Sequence, residues 1–266
     1  MKEKKIPAGK TDIFYTVHGK GKTIMLVHGF GEDNTVWRHQ IAWLENDFQV
    51  IVPLLPGTGR SGMIDDMSME GMAALLKKIL DHENILTCTL IGHSMGGYIA
   101  LAFVSLFPKM IEKFVLFHST AYPDSAEKKS IREKGIRFIR EYGAFEFLRS
   151  TTPNLFSPLF RDEHPEIVEK QIAGLSNFSA ESLVTYYKAM MERPDRINVL
   201  KNSEFPVLFL AGKYDNAVPL QEVLAQSHLP YLSYIHILKK SGHMGMIEES
   251  EDSNRVLDKF LRDNWN

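Results

Sequence analysis

Five residues, Gly92-His93-Ser94-Met95-Gly96, stand between an apolar run and a helical run and leave few folds open. Thr87 to Ile91 is short, apolar and closed by Gly92, the pattern of an interior strand. Met95 to Phe107 has a helical pattern and stops at Pro108. A serine on so tight a strand-to-helix turn is held in a strained backbone conformation with its hydroxyl raised, and G-x-S-x-G supplies the small residues this turn needs. The Met95 N–H, at a helix N-terminus, is then placed to face an oxyanion formed on a substrate attacked by Ser94. The pattern alone is weak, since it arises by chance in roughly one chain in ten of this length. Its flanks strengthen it, and its partners elsewhere in the chain decide.

Strands alternate with helices on both sides of this turn. Asp12 to His18, Thr23 to Val27, Phe48 to Val52, Thr87 to Ile91 and Lys113 to Phe117 read as strands, with helices over Thr35 to Leu44, Ser68 to about Leu80, and Met95 to Phe107. The alternation predicts an α/β fold with a mostly parallel central sheet flanked by helices. It breaks over 119–200, where only helical patterns appear. Ile131, Gly135, Phe138, Ile139 and Tyr142 share one helical face, Pro165 to Ile172 forms a second helix, and Ser179 starts a third. It resumes with a strand at Pro206 to Gly212, a helix at Pro219 to Gln226, a strand at Tyr234 to Leu238, and a closing helix from Ile247 to Leu261. Residues 1–118 and 201–266 are therefore expected to form one core, with 119–200 an all-helical cap inserted in it.

Composition narrows the function classes. A net charge of −2 gives no reason to expect nucleic acid or an anionic membrane as partner. The single cysteine, Cys88, lies in an apolar strand, so no disulfide framework is possible and the thiol is expected to be inert core. No apolar run is long enough to span a bilayer, and no apolar stretch follows the charged start at Met1-Lys2-Glu3-Lys4-Lys5, so a cytoplasmic protein is expected. No metal-ligand cluster, P-loop or dinucleotide fingerprint appears, so no cofactor and no metal are expected.

A serine hydroxyl needs a base, and the base needs an orienting group. Sites in open α/β sheets lie beyond the carboxyl ends of the strands. Three residues stand there: His28 after Val27, Asp215 after Gly212, and His243 after the last strand. Asp215 also reads as ordinary turn chemistry, and His28, among glycines, reads more readily as structural or substrate-facing than as a base. Asp124, which follows the strand ending near Phe117, is a second candidate acid, but a long reach and Pro123 set it at the start of the cap.

This constellation resembles the α/β-hydrolase family. His28-Gly29-Phe30 is similar to its H-G-hydrophobic loop, Gly92 to Gly97 to its nucleophile elbow, Gly212 to Pro219 to its acid-bearing loop, and Gly242-His243-Met244 with Glu248 to its histidine loop. The resemblance covers nearly the whole chain, and the order Ser, Asp, His is the family's. One departure is visible: Pro53, Leu54 and Leu55 stand before Pro56-Gly57, where the family usually carries an Asp. The resemblance implies a triad of Ser94, Asp215 and His243, an oxyanion hole from the N–H groups of Phe30 and Met95, and acyl transfer from a small-molecule substrate. Carboxylic esters of small to medium apolar acyl groups are the leading expectation. Lactone, amide or C–C bond cleavage, cofactor-free perhydrolysis, and a slow-turnover sensor remain as alternatives. Cap aromatics and methionines, among them Phe138, Tyr142, Phe145, Phe147, Phe156, Phe160 and Met190, are candidates for an acyl pocket or for the cap's own core. Phe138, Phe145 and Phe147, with His28, are the pocket residues expected to face substrate.

Overall fold

The computed structural model describes residues 1–263, the Ser176 side chain excepted. Eight strands form one sheet: β1 (Lys2–Ala8), β2 (Thr11–His18), β3 (Lys22–Val27), β4 (Phe48–Pro53), β5 (Cys88–His93), β6 (Ile111–Phe117), β7 (Val207–Gly212) and β8 (Ser233–Leu238). Their spatial order is β1-β2-β4-β3-β5-β6-β7-β8. From β4 to β8 every neighbour is parallel. The other edge is antiparallel, β1 with β2 and β2 with β4. β1 was not expected, because Lys2-Glu3-Lys4-Lys5 carries no apolar alternation. Its charges suit an exposed edge strand, where lysines discourage further pairing. Lys4 Nζ reaches back to Glu83 at 2.7 Å.

The central strands are buried on both faces, and their alternate residues feed two cores. On β3, Met25 and Val27 point to one core while Ile24 and Leu26 point to the other. The first is roofed by α2 (Met69–His82) and α3 (Met95–Leu106), through Met72, Leu76, Ile99 and Phe103. The second is roofed by α1 (Arg38–Leu44), the turn before it and the C-terminal helix, through Trp37, Leu44, Leu257 and Phe260. α2 starts where the sequence places it, with Ser68 Oγ accepting the Gly71 N–H at 3.0 Å. The helix expected over Thr35 to Leu44 begins instead as a 3-10 turn, Asn34–Trp37, with Asp33 as its cap.

Between β6 and β7 the described residues form helices and no strand: α4 (Ala126–Tyr142), α5 (Ala144–Thr151), α6 (Pro158–Glu163), α7 (Pro165–Ala173), α8 (Ala180–Glu192) and α9 (Ile197–Lys201). The buried stripe of α4 is Gly135, Ile136 and Ile139, while Ile131 and Tyr142 face solvent, so the helix is rotated from the face the sequence suggested. The rotation seats Gly135 against α8, where a Cβ would stand 2.7 Å from the Tyr187 ring. This segment is fastened to the rest of the chain: the Tyr186 hydroxyl donates to the carbonyl of Pro56, in the loop after β4, and Arg196 pairs with Glu70 of α2.

After β7 come α10 (Leu220–Ser227) and then, past β8, α11 (Gly245–Glu248) and α12 (Ser250–Arg262). A single closing helix from Ile247 was expected, but the chain breaks at Glu249, whose φ is −130°. The break lets Glu249 turn back, so that its Oε2 accepts the Lys240 N–H at 2.8 Å and the Ser241 hydroxyl at 2.7 Å. Among the described residues no helix is long and apolar enough to cross a membrane.

Candidate active site

Ser94 sits between β5 and α3 with φ 51° and ψ −119°, a region that side chains rarely occupy. The glycines around it are required for space. A Cβ on Gly92 would stand 2.6 Å from the Gly97 Cα, and one on Gly96 would stand 2.5 Å from the His28 carbonyl oxygen. The second contact presses the start of α3, and with it the Met95 N–H, against the chain that leads from β3 into Phe30. The Ser94 N–H donates to Phe117 O of β6 at 3.0 Å, which pins the turn to the sheet.

His243 and Asp215 leave neighbouring strand ends and meet. The His243 Nδ1 lies 2.8 Å from Asp215 Oδ2. Oδ1 of the same carboxylate accepts the N–H groups of Ala217 and Val218, each at 2.8 Å. Burial pushes the Asp215 carboxyl up, but the His243 charge and the hydrogen bonds of two imidazoles outweigh it and hold the group well below the usual carboxylate range. Burial pushes His243 down, and the Asp215 charge and hydrogen bond more than reverse it, leaving its pKa above the ordinary histidine value. The His243 N–H donates to Leu155 O at 2.6 Å, so the histidine loop is also held from the helical segment.

Ser94, His243 and Phe30 open onto one cavity of about 430 Å³ between the sheet's carboxyl edge and helices α4, α5 and α8. Leu148, Tyr187 and Met190 give it apolar walls, and Arg132 and Gln171 add polar ones. Phe30 is fixed from above. Its ring stacks on Tyr187 with centroids 4.3 Å apart and planes 2° from parallel, and Phe147 meets it edge-on at 6.3 Å.

Four residues expected to face substrate are placed otherwise. His28 is fully buried, its Nε2 accepting the Leu55 N–H at 3.1 Å and its Nδ1 donating to Gly29 O at 2.9 Å. It braces the loop where the family's usual Asp is missing. Phe147 is buried behind Phe30 and Tyr187, and Phe138 and Phe145 turn towards solvent. None of the four lines the cavity. Asp124 lies apart from His243 in its bonding, held by Arg132 Nε at 2.5 Å and Arg193 Nη1 at 2.8 Å.

Three buried residues joined to the site escaped the sequence reading: Glu32, His93 and His118. Glu32 Oε2 accepts the Gly29 N–H at 2.7 Å and faces His93 Nδ1 at 2.9 Å. His118 follows β6 directly and points its Nδ1 at Asp215 Oδ2, 3.0 Å away. The strand-end rule that selected His243 would have selected His118 too. Among the described residues, His118, Asp215 and His243 form the one group whose ligating atoms, within 4.8 Å of one another, could surround a metal ion. Asp215 already accepts four N–H groups, so the trio works as a hydrogen-bonded network.

Known proteins share this architecture. An esterase from Thermogutta terrifontis, solved with malate bound, superposes with a TM-score of 0.92 at 29% identity, over 98% of both chains. A putative carbamate hydrolase RutD from Pseudomonas syringae pv. syringae is 26% identical over 92% of this chain and 95% of its own. The 3-oxoadipate enol-lactonase 2 of Acinetobacter baylyi is 24% identical over 93% of this chain and 92% of its own. The family model for the alpha/beta hydrolase fold matches residues 22–250, and the chain belongs to that family.

Proposed function

We propose that this chain is a serine hydrolase that cleaves carboxylic esters of small to medium apolar acyl groups. Ser94 is the nucleophile, His243 the general base and Asp215 the carboxylate that orients it. One observation carries the reading: Ser94, strained at the elbow, opens on the same cavity as His243, whose Nδ1 is 2.8 Å from Asp215.

The chemistry follows from that arrangement. With Nδ1–H committed to Asp215, the lone pair of His243 Nε2 is free to take the Ser94 proton as Oγ bonds to the acyl carbon. The oxyanion is received by the N–H groups of Phe30 and Met95. Collapse expels the alcohol, protonated by His243. Water then attacks the acyl-enzyme, gives a proton to His243, and releases the acid and Ser94. No step calls for a cofactor. Helices α4 to α9 act as the lid, with Leu148, Tyr187 and Met190 around the acyl chain. A cavity of about 430 Å³ fits a small-molecule substrate. A cytoplasmic location, with the lone thiol Cys88 buried and reduced, belongs to this reading.

Lactones and carbamates present the same acyl carbon, and relatives bearing those names make them the second substrates to try. The test is a series of aryl esters of rising acyl length, with a lactone and a carbamate beside it, for wild type and Ser94→Ala. Turnover on the order of 1–10³ s⁻¹ on the short esters, abolished in Ser94→Ala, is expected. Single-turnover hydrolysis would make the protein a sensor instead.

A further inference from the structure

His118 is wholly buried, with φ at 49°, and its N–H donates to Leu210 O at 2.8 Å, fastening the end of β6 to β7. Its ring lies between two glycines. A Cβ at Gly212 would stand 2.9 Å from His118 Cε1, and one at Gly245 would run into Nε2. The slot is therefore open to this ring only because both neighbours lack side chains.

The tautomer follows from the ring's partners. Nε2 faces the Gly245 N–H at 3.2 Å, and Nδ1 faces both Asp215 Oδ2 at 3.0 Å and the Gly212 N–H at 3.2 Å. With the proton on Nδ1, the ring donates to the carboxylate and accepts from Gly245. With the proton on Nε2, it opposes the Gly245 N–H and sets a lone pair against the carboxylate, keeping only the Gly212 contact. The first arrangement satisfies two partners and the second one. A cation is disfavoured: burial pushes the ring's pKa down to about 4, with the Asp215 hydrogen bond and charge offsetting only part. Asp215 Oδ2 thus accepts two imidazole N–H groups, one from His243 and one from His118.

We infer that His118 is a positioning residue of the proposed triad, holding the Asp215 carboxylate towards His243 and sharing the oxygen that His243 uses. The inference rests on the serine-hydrolase reading. It has two consequences. Orientation of Asp215 supports kcat. Sharing Oδ2 also withdraws charge from the His243 imidazolium, so His243 stays a free base to lower pH than it would with Asp215 to itself. The other groups facing the pair are His93 on β5, with ring centroids 5.9 Å from His118 and 4.8 Å from His243, Glu32 behind His93, and Glu248 of α11 beside the histidine loop. All of these stay in place when His118 is changed.

The test pairs two variants. In His118→Asn the amide nitrogen stands as many bonds from the backbone as Nδ1 does, so a donor to Asp215 remains, and Asn tolerates positive φ. His118→Ala removes the donor. Steady-state kinetics on an aryl acetate across pH should show His118→Ala with kcat down roughly tenfold, KM within about twofold, and the acid limb of kcat/KM moved up by about half a pH unit. His118→Asn should recover most of both effects. An unmoved acid limb in His118→Ala, or equal shifts in both variants, overturns the inference. If His118→Ala does not fold, ¹⁵N-histidine NMR of the wild type decides: a neutral His118 with its proton on Nδ1 supports it, and a proton on Nε2 or a cation at neutral pH overturns it. The hydrolase reading fails separately, by hydrolysis that persists in Ser94→Ala.

Discussion

Glu32 and His93 form a buried pair that joins three loops of the site. His93 Nδ1 lies 2.9 Å from Glu32 Oε2, and Nε2 lies 2.9 Å from the His243 carbonyl. Both ring nitrogens are engaged, one with a carboxylate and one with a backbone carbonyl, and these two contacts fix the ring in place. Glu32 also holds the Gly29 N–H, next to Phe30, and His93 adjoins Ser94. The loop carrying Gly29 and Phe30, the turn at Ser94 and the loop carrying His243 are thereby locked together. Burial raises the Glu32 carboxyl, but the contacts with His93 and the Gly29 N–H lower it by more, leaving it below its ordinary range. Glu32→Gln removes one partner of a buried pair and is expected to cost about 3 kcal/mol in urea unfolding. An unchanged midpoint would mean that the pair carries no stability.

The two candidate acids separate by what they hold. Asp215→Asn should leave His243 with the wrong tautomer and lower kcat by roughly 10⁴ with the fold intact. Asp124→Asn leaves two guanidiniums, Arg132 and Arg193, without their carboxylate, so it should lower stability and spare kcat by comparison. Ester hydrolysis and circular dichroism on both variants check this, and a larger kcat loss for Asp124→Asn would place the acid on the wrong strand.

The cavity walls give a third expectation. Met190→Ala and Leu148→Ala enlarge the space beside Ser94 and should shift preference towards longer acyl chains. Phe138→Ala and Phe145→Ala, on side chains turned to solvent, should leave the chain-length profile unchanged. A profile that moves with Phe145 and not with Met190 would reverse the assignment of the wall.

What the sequence revealed and hid has a common physical basis. Ser94, Asp215 and His243 are legible because each follows an apolar strand, and glycines mark the turns. The central parallel strands, β3 and β7 above all, are legible because burial on both faces makes them apolar nearly throughout. β1 is hidden because an edge strand is written in charge, Lys2 to Lys5, and its pairing with β2 lies in the backbone. The break at Glu249 is hidden because the residues around it are good helix formers, and it depends on a tertiary contact with Lys240 and Ser241. The pocket aromatics were misplaced because composition says that α4 and α5 carry phenylalanines but not which way they turn. His118 and His93 read as isolated histidines until folding brings Asp215 and Glu32 beside them.

His118 also sets a pH dependence of stability. Its pKa falls from an ordinary 6.5 to about 4 in the folded chain. Between those values the unfolded chain binds the proton and the folded chain does not, so stability falls as pH drops through that window. The full effect is roughly 3 kcal/mol below it. His243, whose pKa is raised, acts in the opposite sense and is present in both chains compared. Unfolding free energies of wild type and His118→Asn across this range should therefore converge as pH falls from 6.5 towards 4. A difference that stays constant would mean that His118 enters the fold already protonated.

In the proposed reaction everything depends on Ser94 being the activated nucleophile. Intact-mass spectrometry after treatment with a fluorophosphonate tests it most directly. One adduct per chain is expected, mapped by peptide sequencing to Ser94 and absent from Ser94→Ala. An adduct on any other residue, or labelling that survives in Ser94→Ala, would contradict it.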